Sequence, residues 1–161
     1  MVMLDDLFAQ LRTASAPAEI EALQSGVWQL WLTPPSGPGA QALAKELEAG
    51  MRALQADDLS RAIATFTALI AAAPAWAEAW NKRATAYYLR GEYRVALADI
   101  AETLRREPRH FGALGGQVAI LRQLGAPRQA LAVLNKLAGL CPHLPGLREQ
   151  QHTLREELDE G

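Results

Sequence analysis

The sequence predicts an all-α solenoid of antiparallel helix pairs, and three observations carry that prediction. Pro74, Pro108 and Pro142 stand 34 residues apart. Two further columns keep the same interval, small at Ala62, Ala96 and Ala130 and bulky at Phe66, Ile100 and Leu134. Within each interval the apolar residues fall three or four apart, the spacing of a helix face rather than of a strand. Self-similarity at one fixed period is the signature of stacked helical units, each burying its apolar face against a neighbour.

Taken in order, residues 4–12 and 17–32 read as two helices, with Pro17 suited to the first position of the second. Ile20, Leu23, Val27, Leu30 and Trp31 form an apolar stripe along it, and PPSGPG at residues 34–39 then breaks the chain. Residues 1–33 are therefore expected to form a hairpin that packs on the first repeat, with 34–39 as a linker. Three units follow over 43–142, at 43–76, 77–110 and 111–144. In the middle unit Trp80, Ala84 and Tyr87 share a face, Gly91 interrupts, and Ala96, Ile100 and Leu104 begin the second stripe. Pro108 ends that helix, because proline lacks the N–H and disfavours helix in the residue before it. Gly91 and Gly125 suit a turn that needs positive φ, and Asp57 holds the matching place one period earlier. Residues 145–161 carry Leu147, Leu154 and Leu158 on one face and polar side chains elsewhere, as expected of a capping helix and tail.

These columns resemble the tetratricopeptide repeat (TPR) family, as in bacterial TPR-containing proteins. Trp80, Ala84, Tyr87, Gly91, Tyr93, Ala96 and Pro108 of the central unit occupy its signature positions. The first unit departs, with Glu46 and Ala53 where Trp and Tyr are usual, but keeps Gly50, Ala62, Phe66 and Pro74. The third has Leu114, Val118 and Leu121 in the large and small columns and keeps Ala130 and Pro142. The resemblance implies a right-handed α-solenoid, with an N-terminal helical hairpin and a C-terminal capping helix. It also implies a non-catalytic scaffold that binds a peptide or protein partner on its concave face.

Composition sets the outer limits. Of 161 residues half are hydrophobic and 21% charged, and the net charge of −2 gives no case for a nucleic-acid binder. No stretch approaches the ~18 apolar residues of a membrane span, so no membrane insertion is expected. The sole cysteine, Cys141, needs no oxidising compartment, and MVMLDDLFAQLR carries acids where a secretory leader has basic residues. The expected location is cytoplasmic, or periplasmic if a leader is removed. No enzyme activity is expected, because His110, His143 and His152 lie in no nucleophile motif and no phosphate-binding GxxxxGK[ST] or GxGxxG occurs. No cofactor and no metal are expected either: Cys141 and His143 have no second ligand pair, and Cys141 is read as packing at a helix end.

The helical wheel and the resemblance together nominate a binding edge. Glu78, Asn81, Thr85 and Tyr88 fall together beside the Trp80/Ala84/Tyr87 packing face, and Arg122 takes the corresponding place in the third unit. Ala44, Leu47, Met51 and Leu54 line the first unit's share, and Gly112, Gly115 and Ala119 the rest of the third's. TPR domains that grip a chaperone's C-terminal carboxylate use lysines and asparagines from successive inner helices. Only Asn81 is suitably placed here, so no such clamp is expected. Gly112, Gly115 and Gly116 admit two readings, close packing against a neighbouring helix or a shallow slot for a partner's chain. Arg83 stands where the family usually has leucine. Asp99 and Glu102 are its candidate partners in a clasp between helices, and the alternative is a reach towards an acidic ligand.

Charge distribution gives the second functional reading. Residues 82–128 hold nine basic and four acidic side chains, whereas 1–81 hold four and nine. Arg90, Arg94, Arg105, Arg106 and Arg109 would then engage an acidic partner, making the chain a structural or assembly subunit. Homo-oligomerisation through Trp28 or the capping helices is a third reading.

Overall fold

The computed structural model describes residues 3–161, and those residues form nine α-helices and no strand. They are α1 (Leu4–Leu11), α2 (Pro17–Leu32), α3 (Ala40–Gln55), α4 (Leu59–Ala72), α5 (Ala77–Leu89), α6 (Tyr93–Arg106), α7 (Phe111–Gln123), α8 (Pro127–Leu140) and α9 (Leu147–Glu160). Contacts divide the chain into two units, Met1–Leu30 with Gln117–Gly161, and Trp31–Gly116. None of these helices is long and apolar enough to cross a membrane.

The repeat period appears directly in the backbone of the turns. At the ends of α3, α5 and α7 the amides of Asp58, Glu92 and Ala126 reach back to the carbonyls of Ala53, Tyr87 and Leu121, each at 2.9 Å. This six-to-one bond satisfies a carbonyl that the helix end would leave orphaned, and it requires a left-handed residue just before it. Gly91 (φ 78°) and Gly125 (φ 70°) supply that residue without strain, while Asp57 (φ 58°) adopts it despite its Cβ. The first repeat compensates at once, for Asp58 caps α4 by accepting the Arg61 amide at 3.2 Å. Pro127 opens α8, where its missing N–H is no loss.

The second unit is built on Phe66, fully buried among Leu47, Ala53, Ala62, Leu69 and Ile70. Full burial of such a ring contributes about 1.5–3 kcal/mol relative to exposure. Gly50 makes that seat possible: a Cβ there would lie 2.8 Å from Phe66 Cζ and closer still to Cε1. Trp80 packs on the same core from α5; its indole Nε1–H donates to the Pro74 carbonyl, and the Arg106 guanidinium lies 4.5 Å above its ring. Proline at position 74 therefore does more than end a helix, since its carbonyl anchors the signature tryptophan of the next one.

In the first unit Leu7, Phe8, Leu11, Ile20 and Val27 of the N-terminal hairpin are buried, as are Val133, Leu134, Leu137, Leu147 and Leu154 of α8 and α9. Gly26 lets α2 approach Leu7 within van der Waals contact. Met1–Leu30 share a compact unit with Gln117–Gly161, whereas the end of the hairpin, Trp31 and Leu32, groups with the unit that holds the first repeat. Gly37 and Gly39 take positive φ in the break at 34–39. The division also falls inside α2, between Leu30 and Trp31, three residues before the domain boundary that the proline cluster suggests.

Candidate partner-binding face

Helix α5 carries the stretch on which the binding edge was expected. Its apolar side turns Ala79, Ala84 and Ala86 into the core, and Glu78, Asn81, Thr85 and Tyr88 follow one another at i, i+3, i+7 and i+10. The structure splits this edge in two. Glu78 is 0% exposed and Asn81 is 6% exposed, so neither is a free contact residue. Asn81 Nδ2 donates to Glu78 Oε1 at 3.0 Å, Lys82 Nζ lies 3.5 Å from the same oxygen, and His110 Nε2 stands 2.7 Å from Oε2. Lys82 has only a fifth of its side chain exposed.

His110 precedes α7 and is fully buried. Its Nδ1 accepts the Ala113 backbone N–H at 3.0 Å. A backbone N–H can only donate, so Nδ1 is unprotonated and Nε2 carries the proton given to Glu78. The imidazole thus caps α7 with one nitrogen and neutral-donates to a buried carboxylate with the other. Its face is covered by Trp31, whose ring is stacked at 4.0 Å and 11°. Phe111 meets the same indole at 4.7 Å, and Trp76 Nε1–H donates to the Trp31 carbonyl at 2.9 Å.

Thr85 and Tyr88, one and two turns further along, behave differently. Thr85 is exposed, its hydroxyl donating to the Asn81 carbonyl, and Tyr88 is half-buried with its ring 5.7 Å from Tyr93. Leu89 beside them is 53% exposed. In the first repeat Leu47 is buried, and Met51 and Leu54 are partly buried against the same core. Arg122 belongs to the other unit, where its Nη2 donates to Glu157 of α9 at 3.1 Å.

Arg83 lies on the seam between α5 and α6. Its Nε donates to Asp99 Oδ2 at 2.7 Å and its Nη2 to Oδ1 at 2.8 Å, while Nη1 reaches Thr67 Oγ at 3.2 Å. Trp80 and Tyr87 present ring faces to the guanidinium at 5.3 and 5.8 Å. The Asp99 hydrogen bonds hold its pKa above the ordinary arginine value despite burial. Glu102 takes no part in this pair; it accepts from Arg105 and Arg106, and those contacts, that of Arg106 foremost, keep its carboxyl below the usual range.

Several of the other basic residues are also engaged close to home. Arg90 pairs with Glu92 at 2.9 Å and Arg109 with Glu107 at 3.2 Å, and Arg106 donates to the Pro74 carbonyl as well. Of the glycines, Gly115 has open space where a Cβ would stand and Gly116 meets Ile100 Cδ1 at an ordinary 3.5 Å. Close packing gives no reason for Gly115. Cys141 ends α8, buried, and burial pushes its thiol pKa up against the opposing hydrogen bond from the His143 backbone.

Residues 47–93 and 82–145 match the model described as Tetratricopeptide repeat. The chain belongs to the tetratricopeptide repeat family. This TPR chain is 30% identical over 155 residues to a TPR repeat-containing protein of Rhizobium etli, covering 96% of itself and 74% of that relative. It is 31% identical over 137 residues to Tetratricopeptide repeat protein 36 of Xenopus tropicalis, covering 70% of itself and 66% of that protein. Among solved structures it resembles the Arabidopsis OM64 TPR domain (TM-score 0.67, 19% identity, 72% of this chain and 96% of that one). The Sgt2 TPR domain from Aspergillus fumigatus is similar (TM-score 0.66, 19% identity, 80% and 83%). MamA spans more of the chain (TM-score 0.62, 15% identity, 96% and 84%). At these identities the structures establish the TPR solenoid alone, a general protein–protein interaction module.

Trp31 and His110 are the residues that reading the sequence missed. The signal for His110 lay in the period, since Glu78 near the start of α5 and His110 before α7 are one repeat apart less two residues. Trp31 had no such signal, because it comes from outside the repeats.

Proposed function

We propose that this TPR chain is a non-catalytic interaction module that takes a protein segment on the open half of its α5 face. Thr85, Tyr88 and Leu89 lie at i, i+3 and i+4, and solvent reaches this turn of α5. The observation that carries the reading is Leu89, a large apolar side chain more exposed than not, beside a half-buried tyrosine and a hydroxyl. An aromatic ring with a polar tip next to exposed aliphatic surface is the composition of an interface centre. The nominated Glu78 and Asn81 act behind this surface, by fixing α5 against His110, and Arg122 acts in the cap of the other unit.

The test compares proteins retained from native lysate by the unmodified chain and by Thr85→Ala/Tyr88→Ala, with both chains melting alike. Loss of specific partners in the variant is the expected result; an unchanged set removes the reading. The alternative, an acidic partner on the Arg90–Arg109 surface, gains no support from arginines already paired with Glu92, Glu102 and Glu107.

A further inference from the structure

Trp31 sits in the second unit as a ligand sits in a site. Only the last two residues of α2, Trp31 and Leu32, group with that unit, and the proline- and glycine-rich break follows immediately. The indole is gripped on two sides, flat on His110 and tilted against Phe111. Its backbone carbonyl, one of the four that a helix end leaves without an intrahelical partner, takes the Trp76 Nε1–H. Stacking, an edge contact and one directed hydrogen bond to a helix end together specify an aromatic residue at the C-terminus of a helix.

What lies beneath this contact distinguishes it from ordinary core. The ring covering Glu78 is an imidazole, and the groups behind it are a carboxylate, an amide and an ammonium. Shutting such groups away from water carries a desolvation penalty that an apolar base would not. Lifting Trp31 would return hydration to that network, so the closed arrangement is less strongly favoured than its stacking area suggests.

We propose that the slot bounded by Trp76, His110 and Phe111 recognises an aromatic side chain at the end of a partner protein's helix, with Trp31 as its internal, displaceable occupant. This rests on the reading of the inner-helix face as the partner's site. A tethered occupant competes at an effective concentration of up to the millimolar range. A partner therefore succeeds by adding contacts along Thr85, Tyr88 and Leu89, not by the aromatic residue alone.

The experiment uses full-length chains and a labelled synthetic peptide with the sequence of residues 17–33, followed by fluorescence anisotropy. The Trp31→Ala chain should bind the peptide at least tenfold more tightly than the unmodified chain, and a peptide carrying alanine for the tryptophan should lose that binding. Equal affinity of the two chains, no binding to either, or undiminished binding of the alanine peptide overturns the proposal. If Trp31→Ala does not fold, hydrogen exchange of the unmodified chain decides. The Trp31 and Leu32 amides should then exchange at least tenfold faster than those of Phe66 and Ile70, and equal rates overturn it. Adding Tyr88→Ala to Trp31→Ala separates this slot from the Tyr88 surface: retained peptide binding keeps the slot even where the lysate comparison has removed the surface.

Discussion

Arg83 and Asp99 join α5 to α6 through two parallel hydrogen bonds, Nε to Oδ2 and Nη2 to Oδ1, at 2.7 and 2.8 Å. Asp99 is almost wholly buried and the arginine side chain is 17% exposed, so the pair is largely out of water. Removing only the cation leaves a buried carboxylate without its partner. Arg83→Leu is expected to destabilise the chain by about 3 kcal/mol, the usual loss on breaking such a pair. The double change Arg83→Leu/Asp99→Leu should recover most of that loss, because two well-packed aliphatic residues need no compensation. Urea unfolding of the four members of the cycle measures the coupling, and a single Arg83→Leu variant as stable as the unmodified chain would remove the structural role.

Gly50 and Gly115 stand in helices of adjacent kinds yet predict opposite outcomes. Alanine at 50 drives its Cβ into the Phe66 ring, whose seat is fully buried, and should destabilise by about 1–3 kcal/mol. Alanine at 115 meets nothing and removes a helix-interior glycine, a gain of up to ~1 kcal/mol. Thermal melts of the two variants should move in opposite directions.

Glu78 and His110 form a second buried pair, reached by Asn81 and Lys82. Glu78→Leu strands the His110 Nε2–H and should lower stability by about 2–3 kcal/mol. Glu78→Gln retains an acceptor for that proton and should lose distinctly less. Guanidinium titrations of both variants supply the comparison, and equal losses would count against the hydrogen bond as the main contribution.

Cys141 is the only thiol, and burial raises its pKa above the ordinary thiol value. Alkylation by iodoacetamide needs the thiolate, so the native chain at pH 8 should react at least tenfold more slowly than the same chain in denaturant. The sign for stability follows. The folded state favours the neutral thiol, so its contribution is fully present below the unfolded thiol pKa and declines as pH rises through the raised folded value. Mass spectrometry of time points reports the alkylation directly.

The repeat architecture was readable because each unit repeats the same physical solution. A proline column, a small-residue column and a glycine or aspartate turn each mark a place where the backbone or the packing allows few alternatives. Arg83 and Asp99 sit on consecutive helices of one unit, and Asp99 was one of two candidate partners that the sequence offered. What a helical wheel cannot contain is a side chain arriving from outside the repeats. Glu78 and Asn81 occupy the inner positions that the wheel assigned, but His110 and the Trp31 that covers it make them interior. The basic middle of the chain is answered locally only in part. Among its nine basic residues stand four acids, and three of them, Glu92, Glu102 and Glu107, pair with Arg90, Arg105, Arg106 and Arg109.

The grouping of residues 1–30 with 117–161 has a consequence for how the chain is made. Every residue of Trp31–Gly116 leaves the ribosome before Gln117–Gly161, the segment that shares a unit with the N-terminal residues. At about 5–20 residues per second that wait lasts on the order of 4–17 s, far longer than helix formation or collapse. The middle of the chain thus has time to condense through local contacts while Leu7, Leu11 and Ile20 stand without their eventual surroundings. Their burial against that segment comes after the middle of the chain has formed.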